Sequence, residues 1–135
     1  MDTQNPTTVV LEFIDKINAS DVSGLCSLMT EDHILIDGLG NRVQGRERLR
    51  AGWKGYFSRF PDYRISHEEI FENRDVVAVF GTASGTYAVN GMLPKENHWE
   101  IPAAWKALVR NGLIAEWRVY CDNQPARKLL GEKVP

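Results

Sequence analysis

The period of the apolar residues changes near Pro61, and that change limits the folds open to this chain. Upstream, Val9, Val10, Phe13, Ile14 and Ile17 recur at the spacing of an amphipathic helix, opened by Asn5 as a cap with Pro6 in the first turn. Residues 18–21 interrupt it. Val22, Leu25, Cys26, Leu28 and Met29 predict a short second helix, and residues 33–37 a strand closed by Gly38 and Gly40. Gly45 opens a third helix with the aromatic-rich stripe Leu49, Trp53, Tyr56, Phe57 and Phe60, which Pro61 ends. Downstream the pattern is that of strands, expected at residues 63–72, 76–89, 99–110 and 113–122. Asn73-Arg74-Asp75 and Asn111-Gly112 supply the hairpin turns.

Helices followed by a run of tightly connected strands imply an α+β domain, with helices on one face of an antiparallel sheet and a concave space beneath them. The 135 residues, 43% of them apolar, suffice for one sizeable core and form one domain over 1–135. Sixteen Lys and Arg against eighteen Asp and Glu leave a net charge of -2, which provides no field for nucleic acid or an anionic membrane. The basic stretch 42–50 includes Glu47 and reads as the solvated face of a helix start.

Cys26 and Cys121 lack the close spacing of metal or thiol-disulfide motifs, so two buried, reduced thiols are expected. No secretory leader or membrane-length apolar run is present, which makes the cytoplasm the expected compartment. There is no Gly-x-Ser-x-Gly elbow, His-rich metal pattern or phosphate-binding glycine loop, so neither cofactor nor metal is expected.

Specific segments add a family. Residues 13–21, 28–33 and Val43-Gln44-Gly45 resemble the opening of the SnoaL-like, nuclear transport factor 2-like superfamily; residues 116–122 with Leu129-Leu130-Gly131 resemble its closing strand. The resemblance implies a cone-shaped (cystatin-like) fold, three N-terminal helices over a curved, mostly antiparallel sheet, and a homodimer formed through the exposed sheet face. Asp37, in Ile34-Leu35-Ile36-Asp37-Gly38, falls where ketosteroid isomerases hold their proton-abstracting aspartate and limonene epoxide hydrolases a water-binding asparagine. The departures are equally specific. Phe13, Met29 and Trp53 stand where the isomerases place tyrosines, and only the indole of Trp53 can donate a hydrogen bond. The isomerase's second acid falls near Ala104 or Trp105. Val119 stands where the epoxide hydrolases have an inward carboxylate two residues after a tryptophan, here Trp117.

Strand alternation places His33, Leu35 and Asp37 on one face. Asp37 then has two readings: a desolvated general base among carbon neighbours, or a carboxylate capping the turn before Gly38. His33 lies roughly 13 Å from Asp37 along a strand, too far for a dyad, and reads as an exposed strand-end residue. Trp99, Trp105 and Trp117 share one parity, with Trp53 facing them; they either line a pocket for a flat apolar ligand or fill the core. Pro102 is expected to introduce a bulge that reverses the parity of His98, Trp99 and Glu100. Residues 90–97 are long for a hairpin connection and suit a lid or a partner's edge. Asp122, opposite in parity to Trp117, suits a structural role toward the C-terminal tail or a dimer contact.

The sequence thus points to a cofactor-independent isomerase, cyclase or hydrolase acting on a small apolar molecule. Asp37 is the catalytic candidate, with Phe13, Leu35, Trp53, Trp105, Trp117 and Val119 around the ligand. The rival reading is a ligand-binding or dimeric interaction module without turnover.

Overall fold

The computed structural model describes residues 5–122 and 124–129. The Met1 to Gln4 start and the 130–131 part of the closing match lie outside them. Three helices come first, α1 (Pro6–Asn18), α2 (Val22–Ser27) and α3 (Arg46–Arg59), with strands β1 (Met29–Ile36) and β2 (Arg42–Gln44) between the second and third. Strands β3 (Arg64–Asn73), β4 (Val76–Thr86), β5 (His98–Arg110) and β6 (Leu113–Cys121) follow, and α4 (Gln124–Leu129) comes last.

Local chemistry sets these boundaries. Asn5 caps α1 by accepting from Thr7 N at 2.8 Å, ahead of Pro6. Asp21 caps α2 through Gly24 N at 2.9 Å. Gly45 turns the chain into α3 at φ 107°, a conformation suited to glycine, while its N–H donates to the His33 carbonyl at 2.8 Å. Asn111 and Gly112, at φ 54° and 76°, make the left-handed pair that a two-residue hairpin requires. Asp122 accepts from Gln124 N at 3.0 Å and opens α4, a structural role.

The six strands lie in the order β2-β1-β6-β5-β4-β3. All neighbours are antiparallel except β1 and β6, so the sheet is mixed and mostly antiparallel. β1, β6 and β4 therefore run in the same direction, and their C-terminal ends share one rim with the start of β5. Gly81 sits opposite a bulge in β3 between His67 and Glu69; a Cβ there would collide with the Ser66 carbonyl. The core joins Val9, Val10, Phe13, Ile14 and Ile17 of α1 to Leu25, Leu49 and Phe57 of α2 and α3, and to the concave sheet face.

Five readings change. β1 is longer than residues 33–37, and β2 was not anticipated; Arg42 belongs to it, so the helix starts only at Arg46. His33 is not an exposed strand end: it is fully buried, its ring 6.1 Å from that of Phe13. β1 begins at Met29, so His33 lies within the strand and shares the inner face with Leu35. Pro102 does not reverse the parity of β5, whose alternation of buried and open residues runs unbroken from His98 to Arg110. The reason is local: β6 ends at Cys121, opposite Ala103, so at Pro102 the strand has no β6 neighbour needing an N–H. Cys26 is buried as expected, but Cys121 is only half-buried; both thiols are free.

Candidate functional site

The concave side of the sheet holds a cavity of about 460 Å³ beneath α3, within the roughly 300–1,000 Å³ typical of small-molecule sites. Its floor and one flank come from the sheet: Leu35, Trp117, Val119 and Cys121 on β1 and β6, and Ala83, Trp99, Ile101 and Ala103 on β4 and β5. Its roof is the stripe on α3 and just beyond, Leu49, Trp53, Tyr56, Phe60 and Tyr63. The rim includes Asp37 to Leu39, Asn41, Val43 and Arg59.

Small residues leave the space and large rings shape it. Ala83 and Ala103 face it, and Gly85 lets the edge of Trp99 lie close: a Cβ at position 85 would stand 3.1 Å from Trp99 Cζ2. Trp99 meets Phe60 edge-on at 5.6 Å and Tyr63 at 6.1 Å, while Tyr56 packs on Phe60 and Tyr63 at 5.0 Å. Burial raises the Tyr56 and Tyr63 phenols well above their ordinary pKa, so both remain protonated. The indole N–H groups of Trp53 and Trp99 are buried and have no acceptor among the described residues.

Asp37 stands at the rim immediately after β1, and its carboxylate organises the turn. Oδ1 accepts from the backbone N–H of Leu39 and of Asn41, each at 2.9 Å, and Oδ2 accepts from Asn41 Nδ2 at 3.2 Å. The turn-capping geometry is thus present, in a residue that also lines the cavity. A carboxylate offers about four lone-pair positions. Three are occupied, which leaves one on Oδ2.

Among the other sequence candidates, Leu35, Trp53, Trp117 and Val119 meet at the cavity wall. Phe13 and Trp105 do not reach it. Phe13 is sealed between His33 and Trp117, its ring 4.9 Å from the indole, and Trp105 lies deeper along β5 in the packed core. Behind the wall, His33 Nδ1 donates to the Ile114 carbonyl at 2.7 Å, which fixes the tautomer and leaves Nε2 buried without a partner. Burial lowers its pKa, so His33 is a neutral structural group. Residues 90–97 form a turn with a Val89 to Met92 bridge and a short 3-10 segment, and their hollow is separate from the cavity.

Sequence reasoning did not assign Tyr56, Arg59, Phe60 or Tyr63 to the wall, and left Trp99 between pocket and core. A signal existed for two of them: Tyr56 and Phe60 follow Trp53 at helical spacing in the same stripe.

A cone of this kind, with helices closing an aromatic hollow on a curved mixed sheet, is the nuclear transport factor 2-like fold, which relatives share. Within it the chain belongs to the SnoaL-like domain family, whose model matches residues 10–117. IdmH from Streptomyces antibioticus, described as a candidate polyketide cyclase, is 24% identical, with 96% of this chain and 100% of that one covered and a TM-score of 0.76. A candidate SnoaL-like polyketide cyclase from Shewanella denitrificans is 15% identical over 95% of this chain and 98% of its own, with a TM-score of 0.80. A Catenulispora acidiphila protein with a ketosteroid isomerase-like fold, solved with trimethylamine, is 14% identical over 94% and 97%, with a TM-score of 0.77. No curated protein matches the sequence. At these identities the solved structures speak for the fold. No helix among the described residues is long and apolar enough to cross a membrane.

Proposed function

We propose that the protein takes a small, flat, apolar carbonyl compound into the aromatic cavity and moves a proton on it without a cofactor, in the manner of a cyclase or isomerase. The observation that carries this reading is the wall itself: Asp37 is its one carboxylate among the described residues, in a lining otherwise made largely of apolar and aromatic side chains. In the step, the open lone pair of Asp37 Oδ2 takes a proton from carbon next to the carbonyl. The C–H electron pair moves into the enolate, with the negative charge on its oxygen. Return of the proton to another carbon completes an isomerisation; attack of the enolate carbon on a second carbonyl closes a ring, the π pair of that carbonyl passing to its oxygen, which takes the proton back from Asp37.

The test is exchange of the α-protons of β-tetralone in deuterated water, followed by NMR. Wild-type protein should accelerate it, and Asp37→Asn should remove about 10²–10⁴-fold of that acceleration with the turn retained, because the amide oxygen still accepts from Leu39 and Asn41. Equal exchange by the variant removes Asp37 as the base. The three donors already on Asp37 favour a second reading, a pocket that binds without turnover. It predicts tetralone binding by both proteins and exchange by neither.

The convex sheet face supports an assembly of two copies. Phe71 and Phe80 pack edge-on at 6.0 Å and remain exposed, as does Tyr120, giving a second chain an apolar patch to cover.

A further inference from the structure

Two charged residues line the cavity among those described, Asp37 and Arg59, and they stand in opposite states. Asp37 already accepts three hydrogen bonds. Arg59 has no carboxylate partner among the described residues. Its guanidinium carbon lies 5.9 Å from the centroid of the Tyr56 ring, which roofs the cavity, so the cation is held at the rim over an aromatic surface. The Asp37 carboxylate is nearly filled and the Arg59 guanidinium is open, so a complementary ligand brings an acceptor to the Arg59 side.

The topology also sets apart the backbone segments that carry the two residues. Asp37 follows β1; the Arg59 carbonyl accepts from Ala88 N at 2.9 Å, just beyond β4. Both strands end at the same rim with β6 and β5 between them. Three strand spacings amount to about 14 Å along the sheet.

We propose that the ligand is an elongated, flat aromatic anion, and that Arg59 is the specificity-determining residue that receives its negatively charged group at the rim while the rings occupy the apolar interior. A guanidinium is planar, permanently charged and weakly hydrated, which suits a carboxylate, sulfonate or phenolate oxygen. The proposal rests on the cavity being the ligand site, and not on Asp37 being a base.

A pair of matched dyes tests it: anilinonaphthalene sulfonate, and phenylnaphthylamine, which has the same rings without the charge. Dissociation constants of the full chain for both are measured by dye fluorescence. Wild-type protein should favour the anion by about fivefold, the size of an exposed ion pair. Arg59→Gln should bring the ratio to parity by weakening only the anion, Arg59→Lys should keep much of the preference, and Arg48→Gln, off the wall, should leave it intact. The Arg59 assignment is overturned if wild-type protein binds both dyes equally, if Arg59→Gln keeps the ratio, or if Arg48→Gln lowers it as much. Failure of either dye to bind wild-type protein overturns the cavity as ligand site, and Arg59's role with it.

Discussion

The two halves of β5 present the same alternation to the concave side and build different things from it. From Trp105 to Val109 the inward residues, Trp105, Ala107 and Val109, are packed solid. From Trp99 to Ala103 the inward residues, Trp99, Ile101 and Ala103, are also shielded from solvent but face an open hollow. Period decides which face a side chain takes; the volume across from it decides whether that face becomes core or site. In the filled half, α1 supplies Val9, Val10 and Phe13. In the open half, α3 arches over Ala83, Ala103 and Gly85, too small to meet it.

Paired tryptophan truncations test this division and carry the largest expected effect. Trp105→Ala removes an indole with packing on every side and should cost about 3–5 kcal/mol in chemical denaturation. Trp99→Ala should cost clearly less, because one side of that ring already borders empty space and its removal enlarges a cavity that exists. Equal losses at the two positions would mean that the hollow is not open in solution and that β5 is core throughout.

This division explains what could be read from the chain beforehand. The helices, the four long strands and both hairpins follow from apolar period and turn residues, since those depend on a few neighbours. β2 was invisible because three exposed residues, Arg42 to Gln44, cannot display an alternation. The burial of His33 was missed because β1 starts earlier than its apolar run suggests, at Met29, which pairs with Ile114 of β6 about eighty residues away in sequence. Asp37 could be found by resemblance, and its turn-capping bonds by the glycine beside it. That the cavity passes by Phe13 and Trp105 but takes in Tyr63 and Trp99 depends on summed side-chain volumes, which no local pattern encodes.

His33 sharpens the comparison from the filled side, where a polar group is enclosed with one nitrogen unpartnered. Burial lowers its pKa in the folded chain, so the unfolded chain binds the proton more readily. Its contribution is intact above the ordinary histidine value of about 6.5 and is lost as the pH falls below it, by up to about 1.4 kcal/mol per pH unit until the lowered value is passed. Denaturant melts between neutral and pH 5 should show this slope in the wild type and a shallower one in His33→Gln. Parallel slopes would show that the imidazole reaches water, and the filled half of the sheet would be less tightly closed than its burial implies.

The smallest effect on stability belongs to the convex face, where the comparison predicts that packing matters little within one chain. Phe80 is 45% exposed and its ring meets that of Phe71 edge-on. Phe80→Asp should therefore change the unfolding free energy of the isolated chain by about 1 kcal/mol or less, the range of exposed and strand-propensity effects. Its effect on assembly should be large, because a second copy covering Phe71, Phe80 and Tyr120 would have to bury an unpaired carboxylate. Sedimentation should then show wild-type dimers at micromolar concentration and Phe80→Asp monomers. A monomeric wild type would leave those rings simply solvated; dimers in both proteins would place the contact elsewhere, and the convex face would differ from the concave one only in having nothing packed against it.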